Sequence, residues 1–424
     1  MVDITSIKHL PILLQNSQCV AYKDEIIICG GLSQRECYSY HTKKKKYALI
    51  CRYPMRVELQ GHCVVKRVSK TDPNEITLLS IGGSENRKKH TLIMKYISVW
   101  DMCSWSVFKD SNVQSYNKWI PFTDNANNPV IIGENEDSYF GVRALIGGSN
   151  NHLLFITYRP NCIDVFDLDK HQYLKRGFLP IDARVLYHCF VMATGCRSAK
   201  WNTPKKDVYE MILFCKQIGL SIAYDEKNNN FQFHKVRICT ELRSLLSYGY
   251  VCVNGFILLF GGESGSESGY SNKVYKYSIK TNRWMKFAQL LPIALSDSAA
   301  VVSEDGRYVH IIGGNDGDKS LSTHMETILI PWMRGEEGTT AIEKQWVVME
   351  DRKKEIEQIK AELEDMKDHI DLKKLTTKKL IQAIVERWVR SAVLKLGWID
   401  DLNVIILRYI LVRLNCILNK YINI

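Results

Sequence analysis

The chain has 424 residues, 46% hydrophobic and 24% charged, the proportions of an ordinary globular protein with room for one large core and an appendage. Its formal net charge is +11, but residues 331–424 are nearly balanced, with 17 Lys/Arg against 15 Asp/Glu, so most of the excess is spread over the first 330 residues. The one dense basic run, Lys43 to Lys46, falls in a turn without interleaved aromatics, which argues against a nucleic-acid surface.

Thirteen cysteines, an odd number, are scattered with no Cys-x-x-Cys pair, and Cys19, Cys29, Cys189 and Cys252 fall inside expected strands. Reduced, buried thiols are therefore expected, with neither a disulfide framework nor a zinc site. Met1 to Leu14 is interrupted by Asp3, Lys8, His9 and Pro11, which predicts no secretory signal and a cytoplasmic protein.

In chain order, Ile4 to Ile7 reads as a strand leaving through Leu10-Pro11, and the same apolar-Pro exit recurs at Tyr53-Pro54, Leu179-Pro180 and Leu291-Pro292. Glu25 to Cys29 before Gly30-Gly31 and Glu75 to Ile81 before Gly82-Gly83 are apolar strands closed by a glycine pair, 52 residues apart. In the second unit either Trp105 or Trp119 could open the fourth strand. Trp119 is preferred, because Trp119-Ile120-Pro121-Phe122 runs into a polar link, Asn125 to Gly141, whereas Lys109 to Asn117 reads as loop. Gly147-Gly148 sits too early to be another marker. Counting back from Phe166 places His152 to Ile156 as a second strand with Thr157-Tyr158 where the glycines would be. Tyr209 to Phe214 before Cys215-Lys216 follows the same rule, after an excursion at Gly195 to Asp207.

The clearest unit is Tyr248 to Pro292. Tyr248 to Cys252 and Phe256 to Phe260 flank Asn254-Gly255, a hairpin dipeptide, and the second run ends in Gly261-Gly262. A Gly/Ser/Glu loop, an alternating strand at Lys273 to Ile279 and a turn then lead to a strand starting at Trp284. Four antiparallel strands of this kind cannot bury both faces alone, so copies are expected. Arg307 to Ile312 before Gly313-Gly314 is one, 52 residues after Gly261. A second signal has the same phase: Tyr40 and Tyr47, Phe166 and Tyr173, Tyr224 and Phe231, and Tyr277 and Trp284 are each seven apart across a polar turn.

With these two signals in phase, the chain resembles the kelch-repeat family over about Met1 to Pro331. The expected fold is an all-β six-bladed kelch-type β-propeller spanning residues 1–332. Its last blade, with strands at Ser298 to Ser303, Tyr308 to Ile312 and His324 to Ile330, takes Ile4 to Lys8 as its fourth strand and so closes the ring.

Residues 333–340 read as a linker. Residues 341–375 form a charged helix with a-position residues Ile342, Met349, Ile356, Leu363 and Ile370, either a short coiled coil or a single helix leaning on the propeller. Residues 376–424 read as a helical hairpin, capped at Thr376 or Thr377 and broken at Gly397. Arg408 and Arg413 divide its last apolar run, which argues against a membrane span, and 341–424 could self-associate.

Second-to-third-strand loops lie on one face of such a propeller. They carry Arg35, then Arg87, Lys88 and Lys89, then Arg159 and Lys216, and finally Glu263, Glu267, Asp316 and Asp318. The expected binding rim is therefore cationic over blades one to four and acidic over blades five and six, suited to a protein partner carrying both charges. Catalytic signals are absent. Gly313 to Ser320 has Asp318 where a phosphate loop needs glycine, the histidines lack metal-ligand spacing, and no cofactor or metal is expected. The kelch resemblance implies a non-catalytic protein-protein interaction scaffold or adaptor, with no BTB or F-box effector domain in the chain. Some kelch propellers are enzymes, so a central-pocket active site is the alternative.

Overall fold

The structure is a computed structural model that describes residues 4–69, 71–83, 88–101, 116–193, 207–265, 269–335 and 338–368. The chain divides into two units, Met1–Thr339 and Thr340–Ile424. The first is a six-bladed propeller, each blade a four-stranded antiparallel sheet.

Blade one is β2 (Gln18–Tyr22), β3 (Glu25–Gly31), β4 (Gln34–His41) and β5 (Lys46–Arg52); blade two is β6 (Cys63–Val68), β7 (Ile76–Gly83), β8 (Lys89–Tyr96) and β9 (Ile120–Pro121). Blade three is β10 (Ser138–Gly147), β11 (Leu153–Arg159), β12 (Cys162–Asp167) and β13 (Gln172–Phe178), and blade four β14 (Cys189–Met192), β15 (Val208–Cys215), β16 (Ile218–Asp225) and β17 (Asn230–Lys235). Between blades four and five, β18 (Leu245–Leu246) pairs with β21 (Glu263–Ser264) as a two-stranded ribbon. Blade five is β19 (Gly249–Val253), β20 (Phe256–Phe260), β22 (Val274–Ser278) and β23 (Arg283–Lys286). Blade six is β24 (Ala299–Val302), β25 (Tyr308–Ile312) and β26 (His324–Ile328), completed by β1 (Ile4–Ser6).

The closing strand pairs as Ile4 with Thr327, Thr5 with Glu326 and Ser6 with Met325, two residues shorter than the expected Ile4 to Lys8. The following backbone continues the seam, with Leu10 N donating to Ser322 O at 2.8 Å, Leu14 N to Leu321 O at 2.9 Å and Gly314 N to Leu14 O at 2.8 Å. The seven-residue aromatic interval has a direct cause. Tyr40 faces Tyr47, Phe166 faces Tyr173, Tyr224 faces Phe231 and Tyr277 faces Trp284 across the third and fourth strands, with ring centroids 4.8 to 5.1 Å apart.

Blades pack face to face. Val20, Ile27, Cys37 and Tyr53 of blade one and its exit interlock with Val64, Leu78, Met94 and Trp119 of blade two, all buried. The Gly-Gly positions mark where the end of a second strand meets the link into a neighbouring blade. Gly261, at φ +69°, would place a Cβ 2.3 Å from Leu295 O. Where the glycines are lost, side chains make the contact: Thr157 Oγ1 lies 2.6 Å from His188 Nε2 and Tyr248 OH donates to Phe214 O, while the Cys215 thiol faces Arg184 O and Leu186 O on the preceding link.

Three sequence boundaries shift. The third strand of blade two ends at Tyr96 and not near Trp100, because Ile97 N and Ile97 O both bond the Asn117 side chain. The link expected to run to Gly141 ends at Asp137, since Ser138 already pairs with Arg159. Arg35, Lys89, Arg159 and Glu263 were placed on loop tips but lie in strands: two-residue turns leave Arg35 and Arg159 no longer tip, Lys89 pairs with Gly83, and Glu263 pairs with Leu246 in the ribbon. Most of Lys109 to Asn117 and Gly195 to Asp207 lies outside the described residues, as do the hairpin at 376–424, Arg87 and Glu267.

In the second unit, α1 (Ala341–Asp368) starts in a capping box: Thr340 N donates to Glu343 Oε2 at 2.8 Å and Glu343 N to Thr340 Oγ1 at 3.3 Å. The expected a-position residues Ile342 and Met349 are exposed in the single chain. No helix among the described residues is long and apolar enough to cross a membrane.

Candidate binding site at the channel mouth

The first strands of all six blades line a central channel of about 520 Å³. Ahead of five of them, and inside β10 of blade three, the backbone makes the same unusual turn. Asn16, Gly61, Gly141, Tyr187, Ser247 and Asp297 all have φ between +47° and +68°, the left-handed region that costs a side chain about 1–2 kcal/mol.

Their backbone groups form a belt. Asn16 N donates to Asp297 O and Asp297 N to Ser247 O, both at 2.8 Å; Tyr187 N donates to Gly141 O at 3.1 Å and Gly141 N to Gln60 O at 3.3 Å. The left-handed turn swings Asn16, Tyr187, Ser247 and Asp297 into the channel lining. The left-handed turn is repeated in every blade, taken by glycine in blades two and three and by a side-chain-bearing residue in the other four, and it pre-organises those four side chains at one end of the channel.

One step further along the chain sit the inter-blade ties. His62 Nε2 lies 3.0 Å from Cys29 O, His188 meets Thr157, and Tyr248 OH donates to Phe214 O at 2.9 Å. In blade three this place belongs to the buried Val142, and Arg143 follows it. A bulge between Ser138 and Arg143 shifts β10 against β11, and the guanidinium turns into the channel, 5.9 Å from the Tyr187 ring and bonded to its neighbour's Val142 O at 2.8 Å.

Arg143 and Asp297 are the charged pair of the mouth. Burial pushes the Asp297 carboxyl up to about 6, and the Glu263 charge adds to that; hydrogen bonds from Ser247 and Asn16 and the charge of Arg143 pull the other way. Burial with the Arg143 charge also holds the His188 imidazole well below its usual range, so it stays neutral. Ser17 and Ser298 line the channel with buried hydroxyls, and that of Ser298 has no partner among the described residues.

The rim residues named from sequence distribute unevenly around this mouth. Glu263, Asp316 and Asp318 gather about the Tyr270 ring, whose phenol they and Asp297 push up after burial itself. Asp316 Oδ1 accepts from the backbone N–H of Asp318 and Lys319 at 3.1 and 3.0 Å, which holds its carboxyl below the usual range. The cations are not brought together. Arg35 donates to Tyr53 O at 3.2 Å, Lys88 pairs with Glu58 at 2.6 Å, and Arg159 lies 5.6 Å from the Phe140 ring. Lys216 stands exposed on its own turn, itself left-handed at φ +50°.

Arg143 and Asp297 were missed in the sequence, where Arg143 lies inside a strand and Asp297 inside a blade link. Their one sequence signal is position, directly ahead of a blade's first strand pairing.

The family match and the fold neighbour agree with this architecture. The kelch motif matches residues 245–291, which is the ribbon strand β18 together with blade five. The solved structure of YjhT shares the fold at a TM-score of 0.50 and 12% identity, covering 75% of this chain and 95% of that one. In all, 795 solved chains match the fold, so the likeness is to an architecture and not to an activity, and no curated protein matches the sequence. Blade five carries the kelch motif and five further sheets repeat its strand order around one channel, so the chain is a six-bladed β-propeller with a kelch motif in its fifth blade.

Proposed function

We propose that the chain is a non-catalytic protein-interaction scaffold that holds a partner segment over the channel mouth, with the segment's acid toward Arg143 and its base toward Asp297 and the Glu263, Asp316 and Asp318 group. The observation that supports this reading is that the left-handed turn at Asp297 and the bulge ahead of Arg143 put a carboxyl and a cation in one cavity before any partner arrives. Opposed charges on a rigid mouth select both the sequence and the direction of an extended segment.

An enzyme is the second reading, favoured by the cavity's ligand-sized volume and by Asp297, which titrates near neutral pH. Acid–base chemistry needs a second exchangeable group. Burial raises the Tyr250 phenol far above neutrality, so it does not serve as that second group, and binding is the better supported role.

Peptide display against the whole protein tests the proposal. It should enrich segments carrying an acid and a base a few residues apart, and their binding should weaken at least tenfold in Arg143→Glu and fall in Asp297→Lys. Enriched peptides that bind both variants as well as the wild type would refute it, as would a small molecule turned over in the channel.

A further inference from the structure

The cysteine arrangement in blade one is more specific than a set of buried thiols. Cys29, Cys37 and Cys51 stand side by side on β3, β4 and β5, Cys29 facing Cys37 and Cys37 facing Cys51 across the two ladders. Both ladders slip at that level, between Cys29 and Gly31 and between Cys37 and Tyr38. Facing residues of an antiparallel pair have Cα atoms about 4.5–5.5 Å apart, inside the range of about 4.4–6.8 Å that a disulfide spans. The trio is also graded in exposure. Cys29 and Cys37 are buried, whereas Cys51 is half-buried on the outermost strand, its thiol 3.6 Å from Met94 Sδ.

Cys37 has the environment of a reactive sulfur. The Trp119 indole N–H donates to its Sγ at 3.3 Å, and Trp119 is held by stacking on Tyr53 at 4.6 Å and 17°. Burial alone would raise the Cys37 thiol, but donors from Cys29, Cys51, Trp119 and the Gly30 amide outweigh it and hold it well below the ordinary thiol range. Its two neighbours are pushed the other way, Cys29 and Cys51 both upward, through the same contacts with Cys37 and through burial. Cys37 is the sulfur of the three that has a thiol in register on each side and an indole N–H donor.

We infer that Cys37 and Cys51 form a reversible redox site in which a small hydroperoxide oxidises Cys37 and Cys51 resolves it as a disulfide joining β4 to β5. The Cys37 thiolate attacks one oxygen of hydrogen peroxide and the O–O bond breaks, leaving a sulfenic acid and a hydroxide that takes the Cys51 proton. The Cys51 thiolate then attacks the Cys37 sulfur, the S–O bond breaks, and the departing hydroxide is protonated to water. Two thiols give up two electrons to one peroxide, yielding one disulfide and two waters. A peroxide, little larger than water, reaches Cys37 past Cys51 at the sheet edge.

The chain separates the three thiols for measurement. Trypsin places Cys29 in Asp24–Arg35, Cys37 in Glu36–Lys43 and Cys51 in Tyr47–Arg52. The native full-length protein is treated with hydrogen peroxide, alkylated, digested without reductant and read by mass spectrometry. The expected product is Glu36–Lys43 linked to Tyr47–Arg52, two hydrogens lighter than the separate peptides and released by dithiothreitol. In Cys51→Ser this link should vanish and Cys37 should become trappable by dimedone. Three results would overturn the inference: both peptides still alkylated once surface methionines are oxidised, a link from Cys37 to Cys29 in place of Cys51, or a link that forms only after unfolding. The wild-type mapping decides the matter even if Cys51→Ser fails to fold.

Discussion

Lowering the pH from about 7 to about 5 should weaken the propeller through its seam histidines. His62, His90 and His310 are buried, and burial is the first cause that pulls their imidazoles down, to about 4, 3 and 3. A histidine with a folded pKa below its unfolded value of about 6.5 contributes stability that is fully present above 6.5 and is lost as the pH falls toward the folded value. At about pH 5 the unfolded chain has gained a proton at each site that the folded chain refuses, a cost of about 2 kcal/mol per histidine, or about 6 kcal/mol for three. Asp297 acts in the opposite sense. Its raised carboxyl binds a proton in the folded state first and returns about 1–2 kcal/mol over the same interval. The net loss of about 4–5 kcal/mol corresponds to a fall in Tm on the order of 10 °C. Thermal unfolding followed by near-UV circular dichroism at both pH values measures it. His62→Gln keeps an amide donor for Cys29 O and should lose about 2 kcal/mol less on acidification than the wild type. Equal Tm values at the two pH values, or a His62→Gln protein as acid-sensitive as its parent, would refute the reasoning.

Asp297→Asn should raise Tm by a few degrees at neutral pH and leave it unchanged near pH 4, because it removes a partly buried charge from a left-handed position that asparagine tolerates; a lower neutral Tm would show that the charge stabilises the mouth. Gly261→Ala should cost at least about 2 kcal/mol through its positive φ and the approach of Leu295 O, whereas Gly265→Ala, with nothing within 4 Å, should fall within about 0.5 kcal/mol of wild type in denaturant titration. Deleting residues 1–8 strips β1 from β26 and should produce both a lower Tm and edge-driven association visible by light scattering; an unchanged, monodisperse protein would mean that the ring does not depend on this closure.

Much of the ring was legible because two constraints act locally. The turn between third and fourth strands has a set length, so facing aromatics recur at seven residues whatever else a blade loses. Closure by Ile4 could be read because one strand had no blade and one blade had no fourth strand. The channel mouth was not legible for the converse reason. Its left-handed turns are imposed by the neighbouring blades, through bonds such as Asn16 N to Asp297 O, and Tyr187 and Ser247 are not residue types that signal such a backbone. The charged rim was read from loop composition, which cannot show that Arg35 is tied to Tyr53 O or Lys88 to Glu58.

The same physics explains how blades three and four keep the sheet order of the others without the glycine pair. The Gly-Gly signature is one way to let the end of a second strand approach the next link; at Gly261 any Cβ would collide with Leu295 O. Blade three makes that contact through Thr157 to His188; in blade four the next link reaches the strand end through Tyr248 OH donating to Phe214 O, while the Cys215 thiol faces Arg184 O and Leu186 O on the preceding link. A hydrogen-bonded side chain has replaced a close backbone approach, so the packing survives while the motif disappears. Thr157→Gly should therefore restore the motif and still destabilise blade three, because His188 would lose its partner in a site that burial already keeps neutral. A Thr157→Gly protein as stable as the wild type would mean that glycine and the Thr–His bond are interchangeable there, and that the lost motif reflects drift rather than a substituted contact.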